Sequence, residues 1–416
     1  MTKTDIHFYL GADAVSRLVE YCEARRLTCF SLVADRNTYD VLGRAVEAAL
    51  RARQWDVKTV VLDAPEVVPD EVFITQVLYH ADQAERVYVA VGTGTVTDIT
   101  RFVSHRTRRP FISLPTAPSV DGFTSPSSSL VLKRIKVTVM GQPPIAVFAD
   151  LDVLTAAPQP LIAAGFGDIL GKAVALADWQ LGHWLWDEPY NAEIAQRVRD
   201  TLQNCIAAAP SLCPATSDGI RQLMFSLVDS GLCMLDFGNS RPAAGAEHYM
   251  SHYLEMKLLR EQRPAVLHGA KVALCSLRVA ELYARLGEME RAEAAQRLSV
   301  TPAPDREADV QRIRTVFGSL ASGLTAEQAP FLDLSADALA QLKARILDRW
   351  DDLRTLAAAV PSRQALADLL RQVGGATEPA ALTLTADEVD EAVANAHYIR
   401  NRFTICKLSR LLGLLP

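Results

Sequence analysis

Residues 86–105, RVYVAVGTGTVTDITRFVSH, join a predicted strand, a glycine turn and a predicted helix. The run Arg86–Val91 is typical of a buried strand, and Val96–His105 carries apolar residues at helical spacing. Gly92 and Gly94 between them allow a tight turn and a close approach of the backbone to a phosphate. The stretch indicates one strand–helix unit of an α/β domain. Its turn either binds a dinucleotide or only connects the two elements.

The same alternation of strand and helix runs through the first third of the chain. Strands alternating with helices predict a parallel sheet with helices on both faces, and ligands bind such sheets beyond the carboxyl ends of the strands. The other predicted strands are Thr28–Asp35, Val57–Leu62, Phe111–Pro115 and Ile145–Ala149, and the other predicted helices are Val41–Arg53 and Pro69–Ala81.

The pattern changes after Asp152, where strand signals stop and Ala, Leu, Arg and Glu recur with a period near that of a helix. Thr385 and Glu388 have the spacing of a capping box, which predicts a helix beginning there. We therefore predict an α/β nucleotide-binding domain over residues 1–154 and an all-helical metal- and substrate-binding domain over residues 155–416.

The composition is that of a globular protein large enough for two cores, with 416 residues, 49% of them hydrophobic and 22% charged. A net charge of −6 argues against a nucleic-acid partner. The start, residues 1–15, has charges and no apolar leader, and we see no stretch long enough to cross a bilayer. Seven cysteines without a CxxC pair fit a reducing compartment. We expect a cytoplasmic protein without membrane insertion.

Polar residues follow the predicted strands at their carboxyl ends. Asp35 could bind a ribose hydroxyl and oppose a 2′-phosphate, which favours NAD over NADP, or it could be a turn residue. Asp98 could act at the cofactor or only complement the helix dipole. The segment Pro115–Ser129, PTAPSVDGFTSPSSS, is either a surface loop or a loop that holds cofactor and substrate.

Three segments of the predicted helical region carry candidate metal ligands. Asp168 lies in AAGFGDILGKA, His248 and His252 lie one turn apart in AEHYMSHYLEM, and His268 lies in LHGAKVA. Two imidazoles and one carboxylate are a reasonable three-ligand site for a catalytic divalent ion. Each histidine could instead pack or cap locally, and the spacing matches no general zinc motif.

Several stretches, in this order, resemble those of the glycerol-1-phosphate dehydrogenase group. This group belongs to the superfamily of glycerol dehydrogenases, iron-containing alcohol dehydrogenases and dehydroquinate synthases. The resemblance covers roughly residues 28–404, and PTAPSxDG and GAEHxxSH are its most specific parts. The matching stretches are VGTGTVTDITR, PFISLPTAPSVDGFTSPSSS, IAVFADLDVL, AAGFGDILGK, GNSRPAAGAEHYMSHYLEM, LHGAKVA and IRNRFT.

The resemblance implies a dehydroquinate synthase-like fold, an NAD(P) cofactor and one divalent ion, Zn²⁺ or Ni²⁺. It implies that Asp168, His248 and His268 bind the metal, that Asp121 touches the substrate and that His252 faces it. The implied pyrophosphate-binding residues are Gly94, Thr95, Val96, Thr97 and Asp98, and those near the nicotinamide half are Thr116, Ser119 and Ser125.

The implied reaction is the reversible, metal-dependent and NAD(P)-linked reduction of dihydroxyacetone phosphate to sn-glycerol 1-phosphate, with Asp121, Asp168 and His252 as catalytic residues. The alternatives are a dehydrogenase of another polyol or polyol phosphate, and a dehydroquinate-synthase-like cyclase. The cyclase is disfavoured because SPSSSLVLKRIK lacks the glycine-glycine-lysine stretch of those enzymes. A scaffold protein without activity is disfavoured because all three implied ligands are retained. Relatives imply a homo-oligomer. The cations available for a substrate phosphate are Lys136, Lys172, Arg241, Arg400 and Arg402.

Overall fold

The computed structural model describes residues 6–133 and 135–415, so residues 1–5 of the predicted leader-free start lie outside it. The chain divides into two compact units. The first unit comprises Met1–Ile169, Thr201–Asn239 and Gln372–Gly375, and the second comprises Leu170–Asp200, Ser240–Arg371 and Ala376–Pro416. The domain boundary after residue 154, drawn from the sequence pattern, stays a prediction.

The first unit contains a six-stranded parallel sheet in the order β1-β8-β5-β4-β2-β3, and a separate antiparallel hairpin, β6-β7. The strands are β1 His7–Gly11, β2 Cys29–Asp35, β3 Asp56–Leu62, β4 Val87–Gly92, β5 Phe111–Pro115, β6 Ser127–Leu132, β7 Ile135–Met140 and β8 Ala146–Asp150.

Helices make up the regular structure of the rest of the described chain, together with short 3₁₀ and π turns. They are α1 Ala14–Ala24, α2 Arg36–Thr38, α3 Arg44–Arg51, α4 Glu71–Tyr79, α5 Gly94–Arg106, α6 Leu151–Thr155, α7 Gln159–Leu170, α8 Lys172–Trp186, α9 Ala192–Ala208, α10 Ser217–Phe237, α11 Ala246–Arg260, α12 His268–Glu288, α13 Arg291–Val300, α14 Arg306–Phe317, α15 Ala321–Leu332, α16 Ala336–Asp348, α17 Trp350–Ala359, α18 Arg363–Gln372, α19 Ala386–Asn395 and α20 Ile405–Leu411.

The sheet is buried on both faces, which is why its strands are almost continuously apolar. In β4, Val89 packs in a core with α1 and α3, while its neighbour Ala90 packs in a second core with α4 and α5. This alternation follows from the two-residue repeat of a strand. The sheet therefore carries helices on both faces, as the sequence predicts.

The predicted fold class is confirmed. The five strands predicted from the sequence are present with ends shifted by no more than one residue. Among described residues, no strand follows β8, so the expected change to helices after Asp152 is confirmed. The capping box of Thr385 and Glu388 begins α19.

Two features of the first unit differ from the prediction. Strand β1 pairs in parallel with β8 at the sheet edge, although its sequence was not predicted as a strand. The hairpin β6-β7 begins at Ser127, inside the segment predicted as a loop. The strand opens with three consecutive serines, Ser127 to Ser129, so its sequence lacks the alternation of apolar and polar residues by which a half-buried strand is recognised.

One helical stretch, Gln159–Trp186, is long and apolar enough to cross a membrane by length and composition, which the sequence analysis did not anticipate. However, 78% of its most apolar window is buried inside the protein. Such burial is typical of the core helix of a soluble protein, because a lipid-facing helix exposes its apolar side chains.

Candidate active site

A cavity of about 340 Å³ lies at the carboxyl ends of the parallel strands in the first unit. Asp35 after β2, Asp63 after β3, and Thr93 and Thr95 after β4 contribute to its lining. This is the edge at which a doubly wound sheet binds a nucleotide, and the volume lies within the range of small-molecule pockets. The position fits the cofactor site predicted from the sequence.

Helix α5 begins at Gly94 beside this cavity. The Thr93 side chain at its N-cap accepts no hydrogen bond from the first turn, so no side-chain cap occupies the backbone N–H groups there, and such groups can bind an anion. Val96 and Thr97 are buried. Their predicted contacts with a pyrophosphate stay predictions.

The Asp35 carboxylate has a structural partner. Its Oδ1 accepts a hydrogen bond of 2.8 Å from the N–H of Thr38, and this capping box begins the short helix α2. A carboxylate can cap a helix and still accept a hydrogen bond from a ligand, since its two oxygens have about four lone pairs. The neighbouring Arg36 forms an exposed ion pair with Asp63 across the cavity lining.

Arg101 joins the segment Pro115–Ser129 to α5. Its guanidinium is fully buried and donates hydrogen bonds to the carbonyl oxygens of Gly122 at 2.6 Å and Ser127 at 3.0 Å. It also donates to Oδ1 of Asp98 at 2.6 Å. The sequence analysis missed Arg101, and a buried arginine two turns into a helix gives no pattern by which to find it.

Asp98 faces this segment as well. Its Oδ2 accepts the N–H of Ser129 at 3.1 Å, and its carbonyl oxygen accepts the hydroxyl of Ser128 at 3.0 Å. Burial raises the pKa of Asp98 to about 6. These contacts show the carboxylate in the role of a loop anchor, whereas its predicted contact with a pyrophosphate stays a prediction.

The predicted nicotinamide-side residues lie in the same anchored segment. Thr116, Ser119 and Ser125 are all buried. The N–H of Thr116 donates to the carbonyl oxygen of Gly92 at 3.3 Å, which holds the segment beside the glycine turn. Their predicted cofactor contacts stay predictions.

Asp121 and Asp168 are brought together in the first unit. The N–H of Asp121 donates to Oδ2 of Asp168 at 3.0 Å, and both carboxylates are buried. Oδ2 of Asp121 accepts the hydroxyl of Ser230 on α10 at 2.8 Å. The sequence analysis did not identify Ser230, which fixes the side chain predicted to touch the substrate.

Helix α7 approaches this segment very closely at Gly165. A Cβ at that position would lie 1.8 Å from the carbonyl oxygen of Pro118, which no side chain could accommodate without a backbone shift. Gly165 is one turn before Asp168 on α7. The glycine therefore sets the distance between α7 and the segment that Asp168 contacts.

In the second unit, three histidines form a cluster. His248 and His252 lie one turn apart on α11, and His268 is the first residue of α12. The ring centre of His268 lies 5.3 Å from that of His248 and 6.0 Å from that of His252. The sequence alone did not fix this proximity, because the fifteen residues between His252 and His268 have a path that the sequence does not reveal.

The Glu247 carboxylate fixes the ring of His248. Its Oε1 lies 2.5 Å from Nδ1 of His248, and Glu247 has no exposed surface. A carboxylate that accepts the Nδ1 proton leaves Nε2 as the nitrogen that can bind a metal, and metal-binding histidines usually have such a partner. The donor set therefore fits a divalent ion.

A second buried carboxylate, Asp178 on α8, holds the beginning of α11. Its Oδ2 accepts the N–H of Ala246 at 2.7 Å, and its Oδ1 accepts the Tyr283 hydroxyl at 2.8 Å and the N–H of Ile405 at 2.7 Å. Burial, with the nearby Glu247 charge, raises the pKa of Asp178 to about 7. Asp178 thereby joins α8, α11, α12 and α20 just before His248.

Gly245 makes room for both buried carboxylates. A Cβ at this position would lie 2.6 Å from Oδ2 of Asp178 and 2.9 Å from Oε2 of Glu247. The glycine of the GAEH stretch is therefore required by packing, and this explains why a glycine precedes the first histidine of the cluster.

The cations considered for a substrate phosphate have structural partners. Arg241 donates to Glu188 at 2.8 Å, and Arg402 donates to Oγ of Ser240 at 3.1 Å and to the carbonyl oxygen of Ala244 at 3.2 Å. These bonds support the loop before α11. Of the others, Lys136 lies in β7, Lys172 is buried in α8, and Arg400 lies 3.8 Å from Glu327.

Comparisons with known proteins agree with this geometry. A model of the iron-containing alcohol dehydrogenase family matches residues 9–158. The chain is 37% identical over 399 residues to a protein of Halalkalibacterium halodurans named glycerol-1-phosphate dehydrogenase (NAD(P)+), with 95% of this chain and 90% of that protein covered. The chain belongs to the glycerol-1-phosphate dehydrogenase family. It is therefore an oxidoreductase, and the family resemblance predicted from the sequence is confirmed.

Other members of the glycerol-1-phosphate dehydrogenase family match shorter parts of the chain. The protein of that name from Bacillus subtilis is 42% identical over 282 residues, covering 67% of this chain and 72% of that one. The one from Pyrococcus furiosus is 32% identical over 277 residues, covering 66% and 77%.

Solved structures share the fold of this family member. Maleylacetate reductase from a Rhizobium species has a TM-score of 0.61 at 16% identity and covers 100% of this chain and 97% of its own. Sulfoacetaldehyde reductase from Bifidobacterium kashiwanohense, solved with NAD+, has a TM-score of 0.59 at 16% identity over 99% of this chain and 96% of its own. At this identity the likeness establishes the fold alone.

Proposed function

We propose that this protein catalyses the reversible reduction of dihydroxyacetone phosphate to sn-glycerol 1-phosphate with NAD(P)H and a divalent metal ion. The observation that carries the proposal is the cluster of His248, His252 and His268, with the Glu247 carboxylate behind His248. The relatives that match nearly the whole chain are named for this activity.

The metal would be held by Asp168, His248 and His268. Neutral imidazoles and a carboxylate suit several divalent ions, and we propose Zn²⁺ or Ni²⁺. Glu247 supports His248 through Nδ1, and the Asp121 N–H supports Asp168 through Oδ2. A carboxylate oxygen carries two lone pairs, so Asp168 can accept this hydrogen bond and bind an ion together.

The cofactor would lie along the carboxyl ends of the sheet strands in the first unit. The backbone from Gly94 to Asp98 would bind the pyrophosphate, as a helix N-terminus does. Thr116, Ser119 and Ser125 would contact the nicotinamide half. NAD would be preferred over NADP because Asp35 and Asp63 both line the cavity and repel a 2′-phosphate, and Asp63 already pairs with Arg36.

The bound ion would supply Lewis-acid stabilisation of the alkoxide charge, and the nicotinamide would supply the hydride. Asp121, fixed by the Ser230 hydroxyl, would orient a substrate hydroxyl. His252 lies one turn after His248 and is partly exposed, so its ring can exchange a proton with the substrate or with water. Asp121, Asp168 and His252 are therefore the proposed catalytic residues.

The protein would act in the cytoplasm as a homo-oligomer, on a phosphorylated triose or polyol, without a nucleic-acid partner or membrane insertion. The burial of most of the apolar window of the helical stretch Gln159–Trp186 supports only the proposed lack of membrane insertion.

The test follows NADH absorbance with dihydroxyacetone phosphate and with dihydroxyacetone, and NAD+ reduction with glycerol. The protein is first stripped with a chelator and then reloaded with Zn²⁺ or Ni²⁺. We expect metal-dependent NADH oxidation with the phosphorylated ketone alone. Turnover of only the unphosphorylated compounds would overturn the substrate assignment.

A pair of histidine variants tests the metal site. His268→Ala should lose bound metal and turnover together, whereas His80→Ala, an exposed histidine after α4, should keep both. Metal content measured on the purified proteins shows whether the loss of turnover comes with a loss of bound metal. Full metal content in His268→Ala would remove His268 from the site.

A further inference from the structure

A second cavity in the first unit lies far from the proposed cofactor site. It has a volume of about 620 Å³ and is lined by His105, Arg106, Arg108 and Arg109, with Gln142 from the segment before β8. No acidic residue lines it. In a protein with a net charge of −6, four side chains that carry or can gain positive charge are here concentrated in one depression.

This cavity lies at the amino ends of the parallel strands, whereas the cofactor cavity lies at their carboxyl ends. Its lining comes from the end of α5 and from the segments that lead into β5 and β8. Helix α5 has 13 residues and begins beside the cofactor cavity, so its two ends are about 20 Å apart. The cationic cavity therefore cannot hold a part of the same bound cofactor that contacts Gly94.

Two of these four side chains lack a partner. Among the described residues, the side chains of His105 and Arg108 form no hydrogen bond or ion pair, and Arg106 lies only over the ring of Phe102, 5.0 Å from its centre. Arg109 pairs with Glu85 at 2.8 Å, and Glu85 is 89% exposed. The positive charge of the cavity is thus mostly uncompensated by the protein.

The backbone that presents these side chains is held firmly. The N–H of Arg109 donates to the carbonyl oxygen of Ser104 at 2.8 Å. Nε2 of Gln142 donates to the carbonyl oxygen of Arg109 at 2.6 Å and to Oγ of Ser104 at 3.0 Å. A favourable charge at a helix C-terminus would account for His105 and Arg106 but not for Arg108 and Arg109, which follow the end of α5.

We propose that this cationic cavity binds a small phosphorylated compound as a second anion site, separate from the active site. Guanidinium groups present paired N–H donors that match the oxygens of a phosphate, and two or three of them fit a group with two negative charges. The volume is that of a small-molecule site. The proposal does not depend on the proposed reaction.

The lining favours a soluble phosphate over a lipid surface. Membrane-binding surfaces combine cations with exposed apolar side chains that enter the bilayer. The large apolar side chains with high exposure in the described chain are Val41, Val72, Leu78, Tyr79, Met140, Phe225, Leu267 and Val300, and none of them lines the cavity.

Arg108 offers a clean test because its backbone is left-handed, with φ of 57°. Glycine adopts this conformation without cost, so Arg108→Gly removes the guanidinium while preserving or raising the stability of the fold. The matched control is Arg26→Gly, which replaces an exposed arginine at φ of 56° after the end of α1.

The experiment measures binding of inorganic phosphate to the metal-loaded protein at constant ionic strength, with NAD+ present at saturation. We expect phosphate to bind the wild type and Arg26→Gly equally, and to bind Arg108→Gly about tenfold more weakly. Adding Arg106→Ser to Arg108→Gly should abolish phosphate binding at this cavity and leave any phosphate binding at the proposed active site unchanged.

Two results would overturn the proposal. One is equal phosphate binding by Arg108→Gly and the wild type, as judged by calorimetry with both proteins folded to the same extent. The other is binding of vesicles that contain phosphatidylglycerol, lost in Arg108→Gly, without any binding of free phosphate.

Discussion

Oε1 of Glu247 lies 2.5 Å from Nδ1 of His248, on a carboxylate that has no exposed surface. The same Oε1 accepts the N–H of Gly245 at 3.0 Å. A buried carboxylate with two hydrogen bonds holds its partner rigidly, and here the partner is a proposed metal ligand. The His248 ring is thus oriented by the protein before any ion binds.

Replacing Glu247 should weaken metal binding without removing a ligand. We expect Glu247→Ala to lower metal affinity by about 10- to 100-fold, because the Nδ1 proton loses its acceptor. Glu247→Gln keeps an acceptor oxygen and should lose less. Competition with a chelating dye measures both affinities. If Glu247→Ala retained wild-type affinity, the carboxylate would have no part in orienting His248.

Arg101 should affect cofactor binding through the segment it holds. Arg101→Lys cannot reach Asp98, Gly122 and Ser127 together, since lysine has one compact charged group. We expect KM for NADH to rise about tenfold, and the free energy of unfolding to fall by about 3 kcal/mol because buried carbonyl oxygens lose their hydrogen-bond donors. Steady-state kinetics and urea unfolding measure the two effects.

The control for Arg101→Lys is Arg44→Lys, an exposed arginine of α3 paired with Asp40. Arg44→Lys should change neither the KM for NADH nor the free energy of unfolding, because an exposed ion pair contributes little to stability. An unchanged KM for NADH in Arg101→Lys would show that the segment Pro115–Ser129 keeps its position without this guanidinium.

Local patterns were sufficient to predict the sheet and the helices that carry the candidate ligands. The apolar runs ending at Asp35 and Gly92 reveal strands because both faces of the sheet are buried. The spacing of His248 and His252 predicts one helix face, and both do lie on α11.

Long-range contacts could not be predicted in this way. Arg101, Ser230 and Asp178 act through partners more than 20 residues away in the sequence. Such contacts depend on how elements pack, and packing leaves no periodic signal in the chain. The close approach at Gly165 is similar, since a glycine in a helix shows only that a side chain is absent.

Gly165→Ala should destabilise the first unit. The added methyl group would lie 1.8 Å from the carbonyl oxygen of Pro118, so α7 or the neighbouring segment has to move. We expect the free energy of unfolding to fall by about 2 kcal/mol or more. The control, Gly323→Ala in α15, meets no atom within 4 Å and should gain up to about 1 kcal/mol. Equal stabilities in urea unfolding would contradict the close approach.

Asp35→Ser should shift the cofactor preference toward NADP. Serine keeps the N-cap of α2, so the local fold is preserved while one negative charge leaves the cavity. We expect the ratio of kcat/KM for NADPH to that for NADH to rise about tenfold. The control is Asp40→Ser, an exposed aspartate outside the cavity lining, which should leave the ratio unchanged. An unaltered ratio in Asp35→Ser would show that the 2′-phosphate is read elsewhere.

Lys407 should make the protein more stable as the pH rises above neutrality. Its side chain is fully buried in the second unit, its Nζ has no hydrogen-bond partner among described residues, and it lies 5.0 Å from the centre of the Phe331 ring. Burial lowers the pKa of Lys407 to about 7. An unfolded lysine titrates near pH ~10.4, so between these values the unfolded chain holds one more proton than the folded protein.

This proton difference gives the sign of the effect. Between about pH 7 and 10, the titration of Lys407 should raise the free energy of unfolding by up to about 1.4 kcal/mol per pH unit. Below about pH 7, Lys407 is protonated in both states, so the cost of its buried charge does not change with pH. Lys407→Met should remove the slope and raise stability at pH 7 by about 2 kcal/mol or more. Urea unfolding at pH 6.5, 8 and 9.5 measures both the slope and the stability.

The control, Lys343→Met, removes a partly exposed lysine that donates to the Thr301 carbonyl and should keep the wild-type slope. If Lys407→Met kept that slope too, the group that titrates would lie elsewhere, because no other ionisable side chain is changed in that variant.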